Sequence, residues 1–101
     1  MKKLFPLTSP NHQPARVVEQ IKADVRKYLK RERRKNLPEG VDFWDFDCRT
    51  GQSAESAEAI HVAEITKPID QAAAENWEAI YIEILAKEGR RRSKGADEKE
   101  H

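Results

Sequence analysis

The sequence of 101 residues predicts an α+β fold, an antiparallel sheet with two helices on one face. Three observations lead there. Val17, Val18, Ile21, Val25, Tyr28 and Leu29 recur at three- and four-residue spacing, which makes one apolar helix stripe. Val41–Arg49 and Ala79–Ala86 instead alternate between apolar and polar residues, as strands with one buried face do. Apolar residues at 38% and charged residues at 37% fit one small domain with one modest core and a heavily solvated surface.

Taken in order, Lys2–Leu7 reads as a short strand, and Pro6, with no N–H for a ladder, places it at an end or an edge. Thr8–Gln13 is a loop by composition. Pro14 suits the first helical position, where a missing N–H costs nothing, and the helix runs to Lys35 before Pro38 stops it. In the strand Val41–Arg49, Trp44, Phe46 and Cys48 point to the core, while Phe43, Asp45, Asp47 and Arg49 point away. Thr50–Ser56 is a polar turn. Ala59–Ile65 reads as a further strand, with Ile60 and Val62 on one face and His61 and Ala63 on the other. Thr66 serves as the N-cap of a helix that begins near Pro68 and runs through Trp77. Ala79–Ala86 is the last strand, with Ile80, Ile82 and Ile84 inward and Tyr81, Glu83 and Leu85 outward.

This β-α-β-β-α-β order is the ferredoxin-like split βαβ pattern, whose usual spatial strand order is fourth, first, third, second. Without the first strand it reduces to a three-stranded α+β sandwich. The expected organisation is a single domain over residues 1–88 and a disordered charged tail over 89–101, where apolar periodicity is lacking.

Composition excludes several classes. No apolar run approaches the ~20 residues that span a bilayer, so no membrane partner is expected. The N-terminus lacks the apolar core of a secretory signal. Cys48 is the single cysteine, which removes disulfide frameworks and cysteine-rich metal clusters and points to a reducing cytoplasm. The net charge of +1 hides a strong segregation: 11 Lys+Arg against 4 Asp+Glu in residues 1–40, then 3 against 11 in 41–88. Either that division creates a steering field, or the two halves neutralise each other within or between molecules.

The helix Pro14–Lys35 and the run Leu37-Pro-Glu-Gly-Val-Asp-Phe-Trp-Asp-Phe-Asp-Cys-Arg49 resemble a family of small bacterial proteins of unknown function. The likeness extends over residues 2–88. It implies a small, bacterial, cytoplasmic protein and carries no activity onto any residue.

Three candidate sites follow from the residues. Arg26, Lys27, Lys30, Arg31, Arg33, Arg34 and Lys35 are seven cations over ten residues, offset by Glu32 alone. Such a helix can contact several RNA or DNA phosphates, with affinity that falls steeply as salt rises. Asp45, Asp47 and His61 are expected on the open sheet face within cross-strand reach. They form a ligand set for a divalent metal, or an ordinary solvated His–Asp group. The open face also offers Phe43 and Tyr81, but its carboxylates would repel a phosphate chain. An acidic sheet opposed to a basic helix suits a protein partner or self-association. Cys48 faces the core and is expected to be inert, and no serine has a partnered base. The reading is therefore a non-enzymatic binding module without a cofactor, using the basic helix and acidic sheet for macromolecular contacts. RNA or DNA binding through the basic helix and the tail is the alternative, and metal-dependent activity at Asp45, Asp47 and His61 the outsider.

Overall fold

A computed structural model of the chain describes residues 1–8 and 13–91. Its elements are β1 (Lys2–Pro6), α1 (Pro14–Arg33), β2 (Phe43–Gly51), β3 (Glu58–Ile60), a 3-10 turn (Val62–Glu64), α2 (Thr66–Ala74) and β4 (Ala79–Gly89). The fold is α+β, with one four-stranded antiparallel sheet and two helices.

The spatial order is β1-β4-β2-β3, which corrects the expected fourth-first-third-second arrangement. The expected neighbours β1 with β4 and β2 with β3 do pair, but β4 and β2 take the centre instead of β1 and β3. Strand length and apolarity explain the exchange. β4 and β2, of 11 and 9 residues, pair continuously from Phe43↔Gly89 to Gly51↔Tyr81. β3 has 3 residues and β1 has 5 and ends at Pro6, so both are too short to shield a central strand and belong at edges.

One core lies between the sheet and both helices. Val18, Ile21, Val25 and Leu29 of α1 and Ile69 and Ala72 of α2 meet Phe5, Phe46, Cys48, Ile80, Ile82 and Ile84. Ile69, Ile80, Ile82, Ile84 and Val25 are fully buried, and each such aliphatic side chain contributes about 1.5–3 kcal/mol by leaving water. Burial follows the sequence period on α1 and the alternation across Phe46, Asp47 and Cys48 of β2, whereas the run Ile80–Ile84 of β4 is buried on both faces. Trp44 is half-buried against this core, while Asp45 and Asp47 face away from it.

Several element boundaries differ from the sequence reading. Pro14 opens α1 as expected, but the helix ends at Arg33. β2 is displaced by two residues, because Val41 N–H closes a turn on Pro38 O (3.1 Å) while Thr50 and Gly51 pair with Ile82 and Tyr81. The strand expected over Ala59–Ile65 stops at Ile60. His61 ends it: its Nδ1 accepts from Ala63 N–H (3.1 Å) and caps the 3-10 turn. Thr66 lies inside α2 rather than at its cap.

That helix closes at Ala74, short of Trp77, through a Schellman turn. Asn76 takes the left-handed conformation (φ 61°), Asn76 N–H bonds Ala73 O (3.1 Å), and Trp77 N–H bonds Ala72 O (2.9 Å). β4 continues three residues past Ala86 to Gly89, and Arg91 N–H still bonds Asp42 Oδ2 (2.7 Å). The remainder of the expected tail, 92–101, lies outside the described residues.

Candidate functional site

The geometry of α1 sorts its cations. Arg26, Lys27, Lys30, Arg31 and Arg34 follow one another at alternating one- and three-residue steps, which on a 3.6-residue helix covers the arc opposite the buried stripe. Eight residues separate Arg26 from Arg34, a distance of about 12 Å along the axis. All seven cations singled out from the sequence are exposed. Three of them also make local contacts. The Arg31 guanidinium lies 5.3 Å from the Tyr28 ring centroid, and Arg33 lies 5.3 Å from that of Phe46. The Lys35 ammonium is 2.9 Å from Glu32, the lone buried carboxylate of the helix.

That carboxylate stands in the last turn, where the helix dipole disfavours an anion, and Lys35 and Arg31 offset it. Trp44 pins the same end by donating from Nε1 to Lys35 O (2.9 Å). Among the described residues Arg26, Lys27, Lys30 and Arg34 enter no ion pair. The acidic half of the sequence does not neutralise this surface.

The carboxylates of the sheet face are occupied nearer home. Lys87 lies opposite Asp45 in the β2–β4 register and reaches Asp47 Oδ1 at 2.7 Å and Asp45 Oδ2 at 4.0 Å. The hydrogen bond that the Lys87 ammonium donates to Asp47 raises it above its ordinary pKa, with both aspartate charges acting the same way. Asp45 Oδ1 also accepts from Phe46 N–H (2.8 Å). Asp45, Asp47 and His61 line one depression, with Lys87 and Arg49 among them. Among the described residues no group of three or more His, Cys, Asp or Glu is placed to hold a metal ion. An ammonium supplies the positive charge that the two aspartates draw.

Further along the same face, Glu83 lies opposite Arg49, with their charged atoms 3.7 Å apart, and accepts from Tyr81 Oη (2.9 Å). That hydrogen bond raises the Tyr81 pKa, with desolvation adding to it. The 52–57 loop folds back here. Arg49 donates from Nη2 to Ala57 O (2.9 Å), and a Cβ on Gly51 would fall 2.7 Å from Ala57 Cα, so this position requires glycine. Tyr81 and Glu83 are each left 9% exposed on a face expected to be open. Phe43 turns its ring onto Gly89, where any side chain would collide with it. Tyr81 is therefore no free stacking platform, and Phe43 is half-buried.

Cys48 is 3% exposed, and burial first, then Asp47 and Asp45, pushes its thiol up to about 11. It is no nucleophile at neutral pH.

Sequence reading found the helix cations but missed Lys87 and the pairing of Arg49 with Glu83. Both depend on β4 lying beside β2, which the expected strand order did not provide. The signal for Lys87 was present: the in–out alternation of β4 continues through Leu85 and Lys87 if the strand is not ended at Ala86.

Comparison with curated proteins and with solved structures finds no match. A family model does match, over residues 1–96, nearly the whole chain. The chain belongs to a family of unknown function (DUF6172).

Proposed function

We propose that this protein is a non-enzymatic binding module that holds nucleic acid by its phosphate backbone, through the C-terminal half of α1. One observation carries the reading: the outward arc from Arg26 to Arg34 is wholly cationic, and four of its five charges have no ion-pair partner among the described residues. Exposed, unneutralised cations one helical turn apart are the electrostatic footprint of a polyanion site. A sheet face whose carboxylates are matched by Lys87 and Arg49 offers less to a basic protein partner or to a second copy of the chain. With Tyr81 buried and Phe43 half-buried over Gly89, base stacking on the sheet is not part of the reading. Recognition is therefore of backbone charge, with little sequence preference. The buried, unreactive Cys48 is compatible with a reducing bacterial cytoplasm as the place of action.

The test is the salt dependence of binding to a labelled duplex of mixed sequence, followed by fluorescence anisotropy. Five phosphate contacts give a slope of log affinity on log salt of about −4.5, a loss of roughly 500-fold between about 50 and 200 mM salt. No binding at the low-salt end, or affinity indifferent to salt, would remove the proposal.

A further inference from the structure

The two flanks of α1 differ, and the difference gives the interface a direction. Towards α2 the helix is neutralised. Lys22 Nζ lies 2.7 Å from Asp70 and 3.6 Å from Glu19, its side chain is largely buried, and the Asp70 hydrogen bond raises its pKa. Towards β1 the helix borders a groove lined by Lys3, Phe5, Asp24, Lys27, Tyr28 and Arg31, with Met1 at its end. Lys3 belongs to the inward-facing set of β1 by alternation with Phe5, yet it stands at the sheet edge, exposed, with its ammonium 4.9 Å from the Phe5 ring centroid. Three side-chain cations from two elements therefore converge on one concavity that holds a single carboxylate. That carboxylate, Asp24, accepts from Gln20 Nε2 (3.0 Å). The Tyr28 hydroxyl accepts from the Met1 ammonium (3.2 Å), which leaves its own proton to donate.

We propose that a nucleic-acid strand crossing the outer arc of α1 runs towards β1 and seats a phosphate in this groove, between Lys3, Lys27 and Arg31. The proposal rests on the reading of α1 as a nucleic-acid site and extends it to a second element. A convex helix alone offers charges along one line. The groove adds a concave position where cations approach one phosphodiester from both sides, and low-dielectric walls strengthen the attraction there. Phe5 and Tyr28 supply those walls.

Neighbouring lysines provide the experiment. Lys2 and Lys3 are adjacent and exposed, but they alternate to opposite sheet faces, Lys2 lying opposite Glu83. Lys3→Glu and Lys2→Glu change net charge identically. Binding to a labelled mixed-sequence duplex and to the corresponding single strand is measured for both, beside Lys30→Glu/Arg34→Glu. Lys3→Glu is expected to weaken binding about five- to tenfold at about 100 mM salt and to flatten the duplex salt slope by about 0.9, whereas Lys2→Glu changes the slope little. Equal effects of Lys2→Glu and Lys3→Glu, with Lys30→Glu/Arg34→Glu still damaging, overturn the groove and leave the helix reading intact. If the wild type does not bind at all, the helix reading fails and the groove with it. Lys3→Gln, checked by its thermal midpoint, separates lost contact from lost fold: it should keep the wild-type midpoint and still bind more weakly.

Discussion

The outer arc of α1 and the outer face of the sheet both carry several charged side chains, yet they behave in opposite ways. On the helix, the C-terminal half sets like charges side by side and leaves Arg26, Lys27, Lys30 and Arg34 unpartnered among the described residues. On the sheet, each outward-facing carboxylate of the central strands meets a cation across the ladder: Asp45 and Asp47 with Lys87, Glu83 with Arg49. A count of acidic and basic residues cannot tell these surfaces apart. What separates them is geometry. Strand register places side chains from distant parts of the chain opposite one another, whereas a helix presents to solvent whatever its own local sequence provides.

The sharpest way to break this comparison is to reverse charge on each surface in turn. Lys27→Glu/Lys30→Glu/Arg34→Glu should reduce duplex binding by more than about 100-fold at low salt, because three of about five phosphate contacts become repulsions. Its thermal midpoint should hardly move, since none of the three is ion-paired among the described residues. Asp45→Asn/Asp47→Asn is the counterpart on the sheet. It should leave binding within a few-fold of wild type, as anisotropy would record, because these carboxylates lie on the far side of the sheet from α1.

A second, smaller effect sharpens the contrast within the sheet itself. Glu83 is the buried member of its group and Asp47 an exposed one. Glu83→Ala should cost about 1–3 kcal/mol in urea unfolding, because it strands the Tyr81 hydroxyl and removes the counter-charge of Arg49 under the loop. Asp47→Asn should be nearly silent in the same assay, as exposed pairs are.

The smallest expected effect is alkaline. Tyr81 is raised by its hydrogen bond to Glu83, and Lys87 by its hydrogen bond to Asp47. A group that holds its proton more tightly when folded adds stability below its unfolded pKa and loses it as pH climbs through the folded value. Their ordinary values are 10.0 and 10.5, so the sheet face should begin to lose stability above about pH 10. Tyr81→Phe/Lys87→Gln should flatten the decline of the unfolding midpoint with pH. Lys22, held up by Asp70, and the buried Cys48 thiol, pushed up to about 11, would remain as residual components. A decline unchanged in that double variant would show that the sheet pairs are not its source.

Much of the fold was legible in the sequence because periodicity is a local property. The stripe Val18, Ile21, Val25, Leu29 and the alternation Ile80, Ile82, Ile84 fix both an element and its buried side before any tertiary contact is known. The strand through His61 was misread because Ile60 and Val62 satisfy a two-residue period equally well when the chain turns into a 3-10 segment. The deciding hydrogen bond, Ala63 N–H to His61 Nδ1, involves a side chain that hydropathy does not register. Strand order was illegible for a different reason. Every antiparallel arrangement of these four strands satisfies the same alternation, and only relative strand length favours β4 and β2 at the centre. The candidate site divides along the same line. The cations of α1 could be read directly, while their lack of partners and the convergence of Lys3 upon them depend on tertiary placement.

The short reach of β3 has one more outcome. It covers β2 only from Cys48 to Thr50, so the first half of β2 has no neighbour on that side among the described residues. A bare strand margin of this kind invites foreign chains to stack alongside. Asp45 answers by folding its carboxylate onto the Phe46 amide, which fills a docking point with a charged group. The uncovered border of the sheet thereby carries its own guard against edge-on pairing.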